Sequence, residues 1–274
     1  MKPTAVFYLT SYSLSLLGNS IAAIALPLIL LQATGSIMSA GILAASTAVP
    51  AFLAGLLTGV VIDRVNRRTA SVAADVVSAA SLAALPVVDA VAGLDLGWFI
   101  LFGILGAAGD MPGLTAREAL LPAIARAAGL SEGKLLGIRE SLGAMVMVIG
   151  PAAAGGLMVF FEGSTVLWIT AGTSLAAAAV TLLIPARAGA LKPEPGTTNS
   201  STWNQLRQGW NTLFRRDKTL RAATLLRLVM VSVLVALQGI ILPAHFVLAG
   251  RPGQLGFTLA TLAAGTLTGG LLYA

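Results

Sequence analysis

The 274-residue chain is 57% hydrophobic and only 10% charged, with 30 glycines, no cysteine and a single histidine. A soluble domain of this length has too much surface to hide so much apolar area, so the composition excludes an ordinary water-soluble fold and makes lipid the expected solvent. The missing thiols exclude disulfides and thiolate metal sites, and His245 alone does not build a histidine centre, so no metal and no cofactor are expected. The formal net charge of +6 invites a nucleic-acid partner, but where the charges fall argues against one.

A hydrocarbon core about 30 Å thick takes roughly 20 apolar residues in helical form. Eight segments qualify, near 5–31, 38–62, 69–88, 97–117, 138–161, 165–185, 222–249 and 254–274. Helices satisfy every backbone group without water, so the expected fold is an all-α, polytopic transmembrane helical bundle. The first run is too long for a signal-peptide core and reads as a retained helix. Short separators join the spans, except for one long stretch over 186–221. That stretch begins rich in Pro, Gly, Ser and Thr, as a linker does. Trp203, Leu206, Trp210, Leu213 and Phe214 then recur at helical spacing beside Arg207 and Arg215. Such a helix lies on the inner leaflet or packs on the cytoplasmic face of the bundle. The expected organisation is therefore a six-helix bundle over 1–185, a cytoplasmic linker with an amphipathic helix over 186–221, and two helices of a second, incomplete bundle over 222–274.

Assigning alternate loops to opposite sides puts 16 of the 17 basic residues on one side and Arg251 alone on the other. The excess marks the cytoplasmic face, so the protein is expected in the cell membrane, multi-pass, with its N-terminus cytoplasmic. The basic balance is then an orientation signal, and no nucleic acid is expected as partner.

The spans also repeat weakly. Leu26-Pro27 and Gly35 are answered by Leu242-Pro243 and Gly250, and Gly41 and Gly55 by Gly256 and Gly270, at an offset near 215. The same offset carries Gly59 to the final residue. Duplication of this kind predicts an architecture of about twelve spans, of which the chain is a fragment.

Between the second and third spans stands Gly59-x-x-x-Asp63-Arg64-x-Asn66-Arg67-Arg68. It resembles the signature loop of the major facilitator superfamily, Gly-x-x-x-Asp-Arg/Lys-x-Gly-Arg/Lys-Arg/Lys, with Asn66 at the second glycine. Asn tolerates a left-handed turn better than most residues. In the fifth span, Gly150-Pro151-Ala-Ala-Ala154-Gly155-Gly156 resembles the Gly-Pro-x-x-Gly-Gly of the superfamily's exporter branch, with Ala154 at the first glycine of the final pair. Gly18-Asn19 through Pro27, and Pro112 to Leu121-Pro122, are similar to the macrolide-efflux-like exporters.

The resemblance implies a transporter and not an enzyme. Its two halves would rock around a midplane cavity while proton entry drives efflux of a hydrophobic or cationic small molecule. A monomer in the lipid bilayer is expected. It also implies a conformational latch of Gly59, Asp63, Arg64, Arg67, Arg68 and Asp75, joined by Arg117 or Glu140. The helix-five set Gly150, Pro151, Gly155 and Gly156 would bend and pack closely. An importer of the same fold, or a non-transporting membrane partner protein, would carry the same signals.

Asp110 is the residue on which chemistry is expected. A carboxylate inside the fourth span is costly in lipid, so it must face the bundle interior, where it can load and release a proton. The competing reading pairs it with Arg117. Asn19, with Ser15 and Ser20, and Gln238 in the seventh span are further proton-coupling or substrate candidates. Gly129-Leu-Ser-Glu-Gly133-Lys134 is one residue short of a phosphate loop, and Gly172-Thr-Ser174-Leu-Ala176 sits inside an apolar helix, not at a strand-to-helix elbow.

Overall fold

The computed structural model describes residues 2–62, 65–190, 207, 210–212 and 218–237, with six further positions from 258 to 269. The first helices are α1 (Pro3–Thr34), α2 (Ile37–Ile62) and α3 (Arg67–Ala92). They are followed by α4 (Leu96–Ala128), α5 (Glu132–Phe160) and α6 (Gly163–Leu182). A 3-10 turn, Ala186–Ala188, follows α6, and α7 spans Lys218–Ala236. Two compact units result: Met1–Leu191 with Thr266–Ala274, and Lys192–Gly265.

Helices α1 to α6 are each long and apolar enough to cross a membrane. Short connections make neighbours antiparallel, and their chemistry stops each rod. Gly35 closes α1 in the left-handed conformation (φ 64°), and Gly129 closes α4 in the same way (φ 71°). A residue with a side chain would be strained at either place. Asp95 and Ser131 cap α4 and α5 by accepting from the Trp98 and Lys134 amides, at 3.1 and 3.2 Å.

Alternation gives the first unit a basic end and an opposite end. Lys2, Arg67, Arg68, Arg126, Lys134 and Arg187 cluster around the helix ends at 3, 67, 128, 132 and 182. Asp89, Asp95 and Glu162 mark the other. Each of α1 to α5 carries at least one internal proline, at Pro27, Pro50, Pro86, Pro112, Pro122 and Pro151, whereas α6 carries none. Every such proline leaves the carbonyl four residues earlier without its helical donor.

Helix α3 packs on α4 and α6, α1 on α5 and α6, and α2 chiefly on α4. The interior is layered. Toward the opposite end, Ile21, Ile29, Leu30, Leu82, Leu85, Phe99, Val166 and Leu167 form one apolar cluster. Toward the basic end, Tyr8, Leu9, Leu120, Ile124, Leu135 and Ile184 form another. Between them the same helices bury Ser11, Ser15, Asp75, Ser78, Arg117, Ser141 and Ser174.

The structure corrects several expected boundaries. Helix α4 runs to Ala128, not 117, and α5 begins at Glu132, not 138. The hydropathy signal stops at Arg117 and Arg139, yet both side chains are buried in helices, not displayed in loops. Most of the amphipathic helix of the expected linker lies outside the described residues. So do the end of the seventh span, with Gln238, and most of the eighth.

Candidate functional site

Helices α3 and α4 approach closely because glycines line the seam. A Cβ added at Gly109 would press on the Ala74 carbonyl and Val77, and one at Gly113 would collide with the Ala74 Cβ. Small residues of this kind let two helix backbones meet in lipid. The close approach brings Asp75 of α3 opposite Arg117 of α4.

Arg117 and Asp75 form a buried ion pair, with 2% and 3% of their surface exposed. Ser15 of α1 closes the group. Its hydroxyl donates to Asp75 Oδ1 at 2.8 Å and accepts from Arg117 Nη1 at 3.2 Å. Behind it the Tyr8 hydroxyl donates to the Arg117 carbonyl at 3.1 Å. The sequence pattern groups Asp75 with the loop arginines in the latch and offers Arg117 or Glu140 as a further member. The structure selects Arg117 because helical rise carries Asp75 two turns into the bundle, away from the turn.

Asp110 stands two turns before Arg117 on the same helix. Because α4 is 33 residues long, Asp110 lies at its middle. Its carboxyl is partly buried beside the Ser78 hydroxyl and the Asn19 amide, with Asp75 and Arg117 near enough to act on it through their charges. The expected competing pair between Asp110 and Arg117 is not formed, since Arg117 serves Asp75. Ser78 escaped the sequence reading, although its place one turn after Asp75 on the same α3 face is a usable signal.

A second polar group lies toward the basic end. Arg139 of α5 meets Glu118 of α4 at 3.0 Å and Glu140 at 3.3 Å, and its guanidinium sits 5.1 Å from the centre of the Tyr12 ring. Glu140, offered as a latch partner, thus pairs with Arg139.

Of the other latch residues, Gly59 falls within α2, and Asp63 and Arg64 lie outside the described residues. Arg67 and Arg68 direct their guanidinium groups at backbone carbonyls. Arg67 Nη1 donates to the Ala119 carbonyl at 3.1 Å. Arg68 Nε donates to Thr181 at 3.3 Å, and its Nη2 to Leu182. Thr181 and Leu182 end α6, where a cation satisfies unpaired carbonyls and the helix dipole, whereas Ala119 lies inside α4.

The helix-five set divides. Gly150 is where Ser20 of α1 comes against α5, and a Cβ there would overlap the Ser20 side chain. Pro151 is internal to α5. Around Gly155 and Gly156 a Cβ would meet nothing within 4 Å, so among the described residues they do not serve close packing.

Residues 8–274 match the family model of the Major Facilitator Superfamily. The multidrug efflux pump Tap of Mycobacterium tuberculosis (strain ATCC 25618 / H37Rv) is 33% identical, the match covering 94% of this chain and 62% of that protein. The Tap pump of Mycolicibacterium fortuitum is 28% identical over 94% of this chain and 63% of its own length. The chain thus spans less than two thirds of the curated relatives it matches. No solved structure matches it.

Proposed function

The chain belongs to the Major Facilitator Superfamily, and from that premise we propose that it is the greater part of an exporter working by alternating access, with Asp110 as its coupling residue. The chain is a multi-pass membrane protein of that family, and its relatives are named as multidrug efflux pumps. The observation that supports the chemistry is an imbalance in the buried layer. Two carboxylates, Asp75 and Asp110, share it with one adjacent guanidinium, and Arg117 is committed to Asp75. Among the described residues, the polar side chains beside Asp110, Ser78 and Asn19, are neutral. A carboxylate so placed in lipid needs a proton or a cation to balance it.

Asp110 then accepts a proton from one side and releases it to the other as the halves rock, or cedes it to a cationic drug. Asn19 and Ser78 hold the carboxyl in place, and Gln238 of the seventh span is a second candidate for the cavity. The basic end faces the cytoplasm, an orientation that the distribution of lysines and arginines supports. The conformational latch expected of Asp63, Arg64, Arg67 and Arg68 belongs to this end. The transported molecules are hydrophobic or cationic and small, and no covalent step is involved.

The test uses the full-length protein in vesicles loaded with candidate drugs under an imposed pH gradient. Gradient-driven movement that Asp110→Asn abolishes supports the proposal. Movement indifferent to the gradient, or to that substitution, refutes the coupling role.

A further inference from the structure

Asn66 occupies the position of the superfamily pattern's second glycine, and it makes contacts for which glycine has no atoms. Its Oδ1 accepts from the Arg68 and Thr69 amides, at 3.0 and 3.4 Å, and so caps α3. Its Nδ2 donates to the Ala186 carbonyl at 3.0 Å, in the turn that follows α6. The neighbouring backbone repeats the contact, for the Arg67 amide donates to the Gly189 carbonyl at 3.0 Å. The Arg68 side chain binds the last carbonyls of α6.

Gly189 fits this arrangement through size. Its φ of −91° suits any residue, but a Cβ there would be forced against Asn66 Oδ1 and the Arg68 backbone nitrogen. The absence of a side chain is what lets the segment after α6 lie on the turn before α3. Asn66 joins two segments 120 residues apart, just before the six-helix unit gives way to the next at Lys192.

We propose that Asn66 is a clasp, in which one side chain both starts α3 and pins residues 186–190 to the signature turn, so that the turn cannot shift without freeing those residues. Either half of the side chain has its own task. The oxygen serves the helix and the nitrogen serves the tether. The inference goes beyond the transport reading and stands without it, since it concerns where residues 186–190 are held.

Exposed Arg187 is a trypsin site inside the tethered turn. In the full chain, held in lipid nanodiscs, the rate of cleavage after Arg187 is measured by mass spectrometry beside the thermal unfolding midpoint. Asn66→Asp keeps the capping oxygen and removes the donor. It is expected to leave the midpoint unchanged and to raise cleavage about fivefold, the ratio one net hydrogen bond corresponds to. Gly189→Ala, which leaves Asn66 intact but fills its seat, is expected to raise cleavage at least as much. Asn66→Gly is expected to raise cleavage and also lower the midpoint. Cleavage at the wild-type rate in Asn66→Asp, or in Gly189→Ala, overturns the tether. Only the helix cap then remains.

Discussion

Arg117 on α4 and Asp75 on α3 meet inside the bundle with almost none of either side chain exposed, and Ser15 binds both. Among the described residues the pair gives Asp75 an ionic partner and leaves the partly buried Asp110 without one. Removing either partner leaves a buried charge alone, which costs about 3–5 kcal/mol in folded proteins. Asp75→Asn and Arg117→Met are each expected to lower stability on that scale in detergent unfolding. The double variant should lose less than the sum of the two. Strict additivity would mean the contact contributes nothing.

Glycine substitutions separate packing from space. Gly113→Ala places a methyl group against the Ala74 Cβ, and overpacking of this kind costs about 1–3 kcal/mol. Gly155→Ala and Gly156→Ala meet nothing, and the change should be within about 0.5 kcal/mol of neutral or favourable. Thermal unfolding of the three variants in one detergent ranks them, and a Gly113→Ala as stable as Gly155→Ala would contradict the seam.

The contact between α1 and α5 predicts a suppressor. Gly150→Ala collides with Ser20 and is expected to destabilise. Ser20→Gly, silent or mildly harmful alone, should recover most of the loss in the double variant, because it clears the overlapping atoms. Failure to recover would place the cost of Gly150→Ala elsewhere.

Arg139 rests on the Tyr12 ring at 5.1 Å, a geometry in which the ring face attracts the guanidinium by about 0.5–2 kcal/mol. Tyr12→Phe keeps the face and should cost less than Tyr12→Leu, which removes it. Equal losses, measured by unfolding, would mean that the ring acts only as apolar filling.

The six spans of the first unit and which of its loops share an end were legible, because a run of apolar residues and a biased set of arginines are one-dimensional signals. The place of Asp110 inside a span was legible for the same reason: a lone acid in a long apolar run stands out. The ends of α4 and α5 were not, since a charge in the sequence looks the same whether it is paired inside or solvated outside. Arg117 and Arg139 show the difference. The choice of Arg117 as partner for Asp75 needed the packing of α3 on α4. The contacts of Arg67 and Arg68 were illegible because a backbone carbonyl leaves no mark on the residue type that bears it. Asn66 looked like a tolerated departure from a glycine, and only its position beside Gly189 shows what the departure does.

The uneven placement of proline has a consequence for how this bundle deforms. Each of α1 to α5 has a joint where one backbone link is absent, and α6 is an unbroken rod lying along α1 and α3. Flexing therefore concentrates in the five jointed helices, and α6 is the mast against which they lean. Spin labels on α6 would supply a still frame of reference for distances to the others.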